Sequence, residues 1–425
     1  MHFPESVTAQ ADFLSSLSPE MIEQFRVSGS LIMPSRLAAD GDFGEEASAL
    51  QLVGHIARLL PNDYAGGIGL ESALGLAHTD AMTDPLWYAA YRLISTPKHP
   101  PLDPDGLKRQ DMKLRDKAAD RVRSELMGAG SFFARPSRDK AAEIAFSMGM
   151  GIGNESRPPR LHIGAEVAPE RKFEEFLTAL IEAVNALKSL KPLESNKVSV
   201  RWFCREFGHL TRELYQNAAQ HGMQTATGKT IPRSFRAVLV RACDLDLQRL
   251  AGQDSFTAML SPFERRTSRK VRAQQQGKVW DAAPTIPLLE ISIVDNGPGL
   301  VRTWLAAKSL KESGVLVDPD LTTISASDER AILTECFKKH QTSKLRFTAG
   351  IGLFDVHRIM RKLGGLIVIR TSRIRVVRDY SKPSEEETPP EFENWDSRSP
   401  LLPEISGACV TLLLPLVPVG GAVEV

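Results

Sequence analysis

Residues 287–299 read PLLEISIVDNGPG, a mostly apolar run that passes directly into an acidic, glycine-rich turn. A run of this length, bounded by turn residues, predicts a buried β-strand over residues 287–294. Asp295 would then stand at the strand end, where its carboxylate can accept a hydrogen bond from an exocyclic amine such as that of adenine. Gly297 and Gly299 would let the backbone approach a flat base closely. Taken alone, these residues also suit a plain turn.

A long amphipathic helix is predicted upstream, because apolar residues recur every three or four positions over residues 201–221. Within it, the stretch ELYQNAAQHG starts at Glu213 and places Asn217 four residues later. Residues at this spacing share one face of a helix. A carboxylate one turn before an amide, with small alanines beside it, suits a ligand that lies close to the backbone. An exposed polar pair is the alternative for these two residues alone.

A second glycine motif lies downstream, where Thr-Ser-Lys is followed by TAGIGL at the start of a helix predicted over residues 352–363. Glycines before a helix N-terminus expose backbone N–H groups and the positive end of the helix dipole to phosphate oxygens. A lysine just upstream adds charge for a terminal phosphate. The candidate ligand-binding residues of this motif are Lys344, Gly350, Ile351, Gly352 and Leu353.

A closing strand over residues 407–415 (GACVTLLLP) completes a set of four motifs. In this order they resemble the N, G1, G2 and G3 boxes of the gyrase, chaperone, kinase and MutL (GHKL) superfamily. The resemblance covers residues 198–416 and implies a Bergerat-type α/β sandwich that binds ATP and Mg²⁺. It implies that Asn217 coordinates the magnesium ion and that Asp295 holds the adenine amine. Ala408 stands where the family usually has a threonine, which removes one hydroxyl expected near the phosphates.

The resemblance also assigns roles to the remaining motif residues. Gly297 and Gly299 would shape the base pocket, and Gly350 and Gly352 would cradle the phosphates. Residues 300–349 would form a lid that closes over ATP. Glu213 matches the position from which the ATPases of the superfamily activate the attacking water.

The chain is predicted to have an α+β fold, and its C-terminal part a mixed sheet that carries helices on one face. We expect an N-terminal mixed α/β domain of unknown fold, an amphipathic connecting helix and a C-terminal ATP-binding domain. A strand over residues 28–33 and a helix over residues 47–60 are predicted in the first part. The second of two predicted insertions, at residues 378–404, is acidic and proline-rich, which favours a flexible surface loop. The boundaries are residues 1–165, 166–197 and 198–425, with insertions at residues 223–286 and 378–404.

Composition points to a globular protein rather than to a nucleic-acid or membrane protein. The 425 residues are 42% hydrophobic and 25% charged, with a net charge of +1. No apolar run approaches the roughly 18 residues of a spanning helix, no signal peptide is visible, and the four cysteines are scattered. We therefore expect a cytoplasmic protein. Nucleic acid could contact the basic segment at residues 263–278, although a solvated helix or loop is the interpretation we favour.

We expect a magnesium-dependent ATPase whose lid closure switches contacts with a protein partner or a second copy. One alternative is a kinase that phosphorylates serine or histidine on a separate protein, since Glu213 and Asn217 also match the kinase form of the first box. A conventional phosphoacceptor hairpin is not favoured, because the sequence around His55, His99 and His209 does not fit one. A non-catalytic nucleotide-sensing subunit is the third interpretation.

Overall fold

A computed structural model describes residues 44–59, 197–231, 234–245, 286–338, 352–381, 389–395 and 400–415, six short strands between residues 31 and 167, and isolated positions such as Phe263. The helices are α1 (Glu45–Leu59), α2 (Lys197–His221), α3 (Leu300–Ser313), α4 (Ala326–Cys336) and α5 (Gly352–Leu363). The strands are β1 (Leu31–Met33), β2 (Ile68–Leu70), β3 (Gly130–Pro136), β4 (Ile144–Phe146), β5 (His162–Ile163), β6 (Glu166–Val167), β7 (Phe235–Leu245), β8 (Ile286–Asp295), β9 (Leu366–Ser372), β10 (Ile374–Asp379), β11 (Glu393–Asn394) and β12 (Ile405–Pro415).

One large sheet organises these elements, so the described part of the chain is an α+β fold. Its eight strands follow the order β11-β10-β9-β12-β8-β7-β3-β4. All neighbouring pairs among these strands are antiparallel, and the expectation of a mixed sheet is therefore wrong for them. The shorter β1 and β2 pair in parallel elsewhere, and β5 and β6 form a separate antiparallel pair.

The first face of the sheet carries the main hydrophobic core. Alternate residues of the central strands, such as Ile291 and Ile293 of β8 with Val410 and Leu412 of β12, point to this face. Helices α2 and α5 cover it and pack against each other. The two helices that are predicted from periodicity thus share one core, and the glycine pair after Leu363 ends α5 as expected.

Helix α1 covers the opposite face of the sheet, against β12 and β8. Ser292 and Thr411 point to that face and join their hydroxyls at 2.9 Å. At the start of α1, the Gly44 amide donates to Glu290 Oε1 at 2.9 Å. A helix from the expected N-terminal domain therefore covers the second face, whereas the four described helices from residue 197 onward contribute to the core on the first face, as expected for the C-terminal part.

The sheet draws strands from both sides of the domain boundary expected at residue 165. Strand β3 pairs with β7 over seven positions, and β4 extends the sheet beyond it. Strand β7 itself lies within residues 223–286, which the sequence analysis treats as an insertion. A central strand of the sheet therefore comes from that segment. Of the basic segment that follows, only Phe263 is described, and its side chain is buried.

Residues 300–338, within the segment assigned to a lid, form α3 and α4, whose Val301 and Leu333 are fully buried in the core; closure of this segment over ATP stays a prediction. The expectation of a flexible loop, in contrast, is wrong for part of the second insertion. Residues 389–395, assigned to a flexible loop, contain β11, which pairs with β10. There, the rings of Phe392 and Phe337 meet edge to face with centroids 5.2 Å apart. Most of the expected connecting helix at residues 166–197 lies outside the described residues.

Candidate functional site

One face of α2 forms the floor of the candidate site. Glu213, Asn217 and His221 recur at intervals of four residues and follow one another along the helix. At about 1.5 Å of rise per residue, the row from Glu213 to His221 is about 12 Å long. An elongated ligand can therefore contact both ends of the row while it lies along a single helix.

The N-terminus of α5 lies directly over the first part of this row. A Cβ atom placed on Gly352 would be 2.7 Å from Glu213 Oε2 and 3.6 Å from Asn217 Nδ2. Only a glycine leaves both side chains in their present positions, because a Cβ–oxygen contact of 2.7 Å is shorter than van der Waals distance. Helix α5 has 12 residues, and the positive end of its dipole faces this part of α2. The structure thus brings Glu213, Asn217 and Gly352 together.

Asn217 carries the feature that most directly suggests a ligand. Its amide nitrogen Nδ2 is buried and has no hydrogen-bond partner among the described residues. Leaving a buried polar atom unpaired costs about 1–3 kcal/mol, and a ligand that bonds to the atom would recover this cost. Its neighbour Glu213 pairs through Oε1 with Arg212 Nη1 at 2.8 Å, while Oε2 is the oxygen nearest Gly352.

A contact between the side chains of His209 and Asp355 joins α2, the floor of the site, to the start of α5. His209 Nε2 lies 3.5 Å from Asp355 Oδ2, one turn before Glu213 and within the first turn of α5. Leu353, the residue after Gly352, is partly buried and packs against the core. Lys344, Gly350 and Ile351 lie outside the described residues.

The second end of the site is formed by Asp295, at the end of β8. Its Oδ1 accepts a hydrogen bond of 2.8 Å from the Gly297 amide. Burial raises the pKa of Asp295 from 3.8 to about 7, although hydrogen bonds from the Gly297 and Ala408 amides and the charges of Arg236 and Arg58 lower it. The carboxylate is thus poised to change its protonation state near neutral pH.

Gly297 and Gly407 allow the turn after Asp295 to pack against its neighbours. A Cβ on Gly297 would lie 2.6 Å from the carbonyl oxygen of His221, so the turn meets the end of α2. Gly407 has a φ angle of +80°, and a Cβ there would collide with the carbonyl oxygen of Asp295. Gly299 is the N-cap residue of α3.

Ala408 lies beside the Asp295 carboxylate. Its amide bonds to the Asp295 carboxylate, so the residue lies at the acidic end of the site and not beside Gly352. The hydroxyl nearest this turn belongs to Thr371 on the neighbouring strand β9, whose Oγ1 accepts from the Leu300 amide at 3.0 Å and donates to the Gly407 carbonyl at 3.2 Å.

Three residues of this region escaped the sequence analysis. Arg58 Nη1 donates to the carbonyl oxygen of Gly297 at 2.6 Å, Asn296 Nδ2 donates to the carbonyl oxygen of Gly54 at 3.0 Å, and Arg236 Nη1 donates to the carbonyl oxygen of Ala219 at 3.1 Å. Arg58 and Arg236 are remote from the motif in sequence. Asn296 offered a signal, because an asparagine inside a buried turn needs a partner.

No group of three histidine, cysteine, aspartate or glutamate side chains within the described residues is arranged to hold a metal ion. A magnesium ion held through Asn217 would thus take its other ligands from phosphates and water, as Mg²⁺ does in many nucleotide sites.

No described helix is both long and apolar enough to cross a membrane. The chain matches no protein-family model, no curated protein and no solved structure.

Proposed function

We propose that this chain binds ATP with magnesium at a GHKL-type site and hydrolyses it. The observation that carries the proposal is the approach of Gly352 to Glu213 and Asn217, with the Asn217 amide nitrogen buried and unpartnered. A glycine at a helix start, over a carboxylate and an amide, is an arrangement that phosphate oxygens can enter. The Bergerat fold is part of the same proposal, supported by α2 and α5 on one face of an antiparallel sheet.

Asn217 is the residue that would hold the magnesium ion. The two ends of an amide group are nearly equal in size, so a half-turn would bring Oδ1 to the present position of Nδ2. Once bound, the ion would neutralise phosphate charge and lower the barrier to attack at the terminal phosphorus. The backbone at the start of α5 would bind phosphate oxygens through its N–H groups and the helix dipole.

Glu213 would take the proton of the attacking water. Its Oε1 is held by Arg212, which fixes the orientation of the carboxylate, and its Oε2 faces the start of α5 where the terminal phosphate would lie. Asp295 lies beside Gly222, just after the other end of this row on α2, and would accept a hydrogen bond from the adenine amine. The length of the row on α2 thus separates the chemistry from base recognition.

Two of the described histidines, His55 and His209, are engaged with neighbouring residues. His55 Nδ1 accepts from the Ser406 amide at 3.0 Å, and burial together with nearby Arg58 and Arg370 lowers the pKa of His55 to about 4. His209 is paired with Asp355. Phosphate transfer to a separate protein, the kinase alternative, can be detected by a transfer experiment.

Three variants of α2 test the proposal. Glu213→Gln should slow phosphate release by about 100-fold or more while ATP affinity changes little, because a general base contributes about 10²–10⁴-fold. Asn217→Ala should abolish the magnesium dependence of ATP binding. Gln220→Ala, an exposed position on the same helix, is the matched control.

Titration of the protein with ATP, with and without magnesium, and release of labelled phosphate are the measurements. Failure of the wild-type chain to bind ATP, or equal binding by Asn217→Ala, would refute the proposal. Label that appears in an added protein would assign the kinase activity. If Glu213→Gln binds ATP and releases phosphate as the wild-type chain does, the interpretation as a nucleotide-sensing subunit is favoured over the ATPase. A change of contacts with partners on ATP binding stays a prediction.

A further inference from the structure

Helix α1 reaches the Asp295–Gly299 turn from the opposite face of the sheet. Arg58, in its last turn, donates from one nitrogen to two carbonyl oxygens of the turn, Gly297 O at 2.6 Å and Asn296 O at 3.3 Å. The Asn296 side chain returns a hydrogen bond of 3.0 Å to Gly54 O in the same helix. Three hydrogen bonds thus join one turn of α1 to the two residues that follow Asp295.

The Arg58 guanidinium is held by its surroundings as well as by these bonds. Burial and the nearby charge of Arg302 lower its pKa, whereas Asp318, Asp295 and Glu404 raise it. Arg302 pairs with both Asp318 and Glu404, which places that arginine in an ion-pair network beside Arg58. Asn296 is fully buried and cannot exchange its partner for water. The turn therefore has little freedom to move while α1 is docked.

We infer that Arg58 is a positioning residue for base recognition, because it fixes the turn between Asp295 and Gly299 through the carbonyl oxygens of Asn296 and Gly297. The inference rests on the proposed ATP site. Arg58 acts from behind the sheet and touches neither base nor phosphate. Its loss should weaken the discrimination between bases without weakening phosphate binding, because the phosphate end, at Glu213 and Gly352, has no contact with α1 among those described.

Base discrimination is measured as the ratio of the dissociation constants of ITP and ATP. ITP carries an oxygen in place of the adenine amine, so it cannot donate to the Asp295 carboxylate from that position. A hydrogen bond to a charged acceptor is worth about 10- to 100-fold in affinity, which is the preference for ATP expected of the wild-type chain. Arg58→Ala should lower this preference by about 10-fold, while the affinity for inorganic tripolyphosphate with magnesium stays unchanged.

The pH dependence of ATP binding gives a second measurement. Asp295 faces Arg236 from β7, Arg58 from α1, the Cys409 thiol from β12 and the backbone at the end of α2. The charge of Arg58 lowers the pKa of Asp295, so Arg58→Ala should raise it and move the midpoint of ATP binding to higher pH. Arg58→Lys keeps the charge but cannot reproduce the guanidinium geometry, so it should restore the midpoint more fully than the base preference.

Arg330→Ala removes an arginine that bonds to Asn394 on the far side of the core, and it is the matched control. The inference is supported if Arg58→Ala lowers the ITP-to-ATP ratio and shifts the pH midpoint while Arg330→Ala does neither. An unchanged ratio and midpoint would overturn it, even with ATP binding intact. If Arg58→Ala fails to fold, the ratio measured for Arg58→Lys decides. Absence of ATP binding by the wild-type chain would overturn the proposed function first.

Discussion

Gly352→Ala tests the geometry of the phosphate end of the site most directly. The added methyl group would lie 2.7 Å from Glu213 Oε2, and ordinary contact begins at about 3.4 Å. The carboxylate must therefore retreat by at least about 0.7 Å, the difference between these two distances. Asn217 Nδ2, at 3.6 Å from the methyl position, can stay where it is. The substitution should thus displace the proposed base and leave the proposed magnesium ligand.

Gly352→Ala should have two separate effects, one on ATP turnover and one on the stability of the fold. A misplacement of about 1 Å can cost about 100-fold in rate, so we expect ATP turnover to fall by about 10- to 100-fold. Stability should not fall, because the atom that must move is the end of a flexible side chain and the φ angle of Gly352 is not in the left-handed region. Alanine is favoured over glycine in helices by up to about 1 kcal/mol, so the folded state should gain slightly.

Gly228→Ala is the matched control for this prediction. Gly228 has a φ angle of +79° and no atom within 4 Å of its Cβ position. Alanine there should cost about 1 kcal/mol of stability through backbone strain, with no change in turnover. Gly352→Ala should therefore lower turnover without lowering stability, whereas Gly228→Ala should lower stability without changing turnover. Denaturant unfolding and phosphate release measure the two effects separately. Wild-type turnover by a folded Gly352→Ala chain would refute the placement of Glu213 as the base.

Further perturbations address the acidic end and the back of the sheet. Gly407→Ala should destabilise the fold by more than about 3 kcal/mol, measured by thermal unfolding, because the methyl group meets the Asp295 backbone at a φ of +80°. Since the pKa of Asp295 is raised from 3.8 to about 7, its contribution to stability is complete below pH 3.8 and is lost as pH rises through 7. Urea unfolding should show that loss in the wild-type chain and not in Asp295→Asn. A chain that starts at residue 198 lacks α1, whose Leu52, Val53 and Ile56 are buried. At roughly 1.5–3 kcal/mol each, that burial rivals the whole stability of a domain, so this fragment should not unfold cooperatively in calorimetry.

The elements with strong local signals were predictable from the sequence. Helix α5 begins at Gly352 and ends at Leu363 as predicted, because its apolar period and the two glycines after it act within one segment. Strand β8 extends only one residue beyond its predicted limits at each end. The position of Glu213 and Asn217 on one face of α2 is confirmed, because a four-residue spacing within a helix places them there whatever the tertiary fold.

The strands that depend on distant partners were not predictable. Strand β7 finds its neighbours in β8 and in β3, and the latter is about a hundred residues away, as in the pair of Gly130 with Arg241. An apolar run shows how a strand would alternate but not which edge it joins. The same limit explains β11, which lies in a segment rich in charge and proline and is held by the burial of Phe392 and Trp395. The composition of that segment predicts a loop, but the burial of these two aromatic side chains holds part of it against the fold.

The site combines a locally encoded half with a half that only the tertiary fold supplies. Glu213, Asn217 and Gly352 meet because α2 and α5 share a core that their own periodicity specifies. The Asp295 turn instead depends on Arg58, which is more than two hundred residues away and approaches through the opposite face of the sheet. A helix on that face can bear on base recognition without contacting the ligand, since the backbone carbonyls of the turn transmit its position. The first part of the chain is thus bonded to the turn of the proposed nucleotide site.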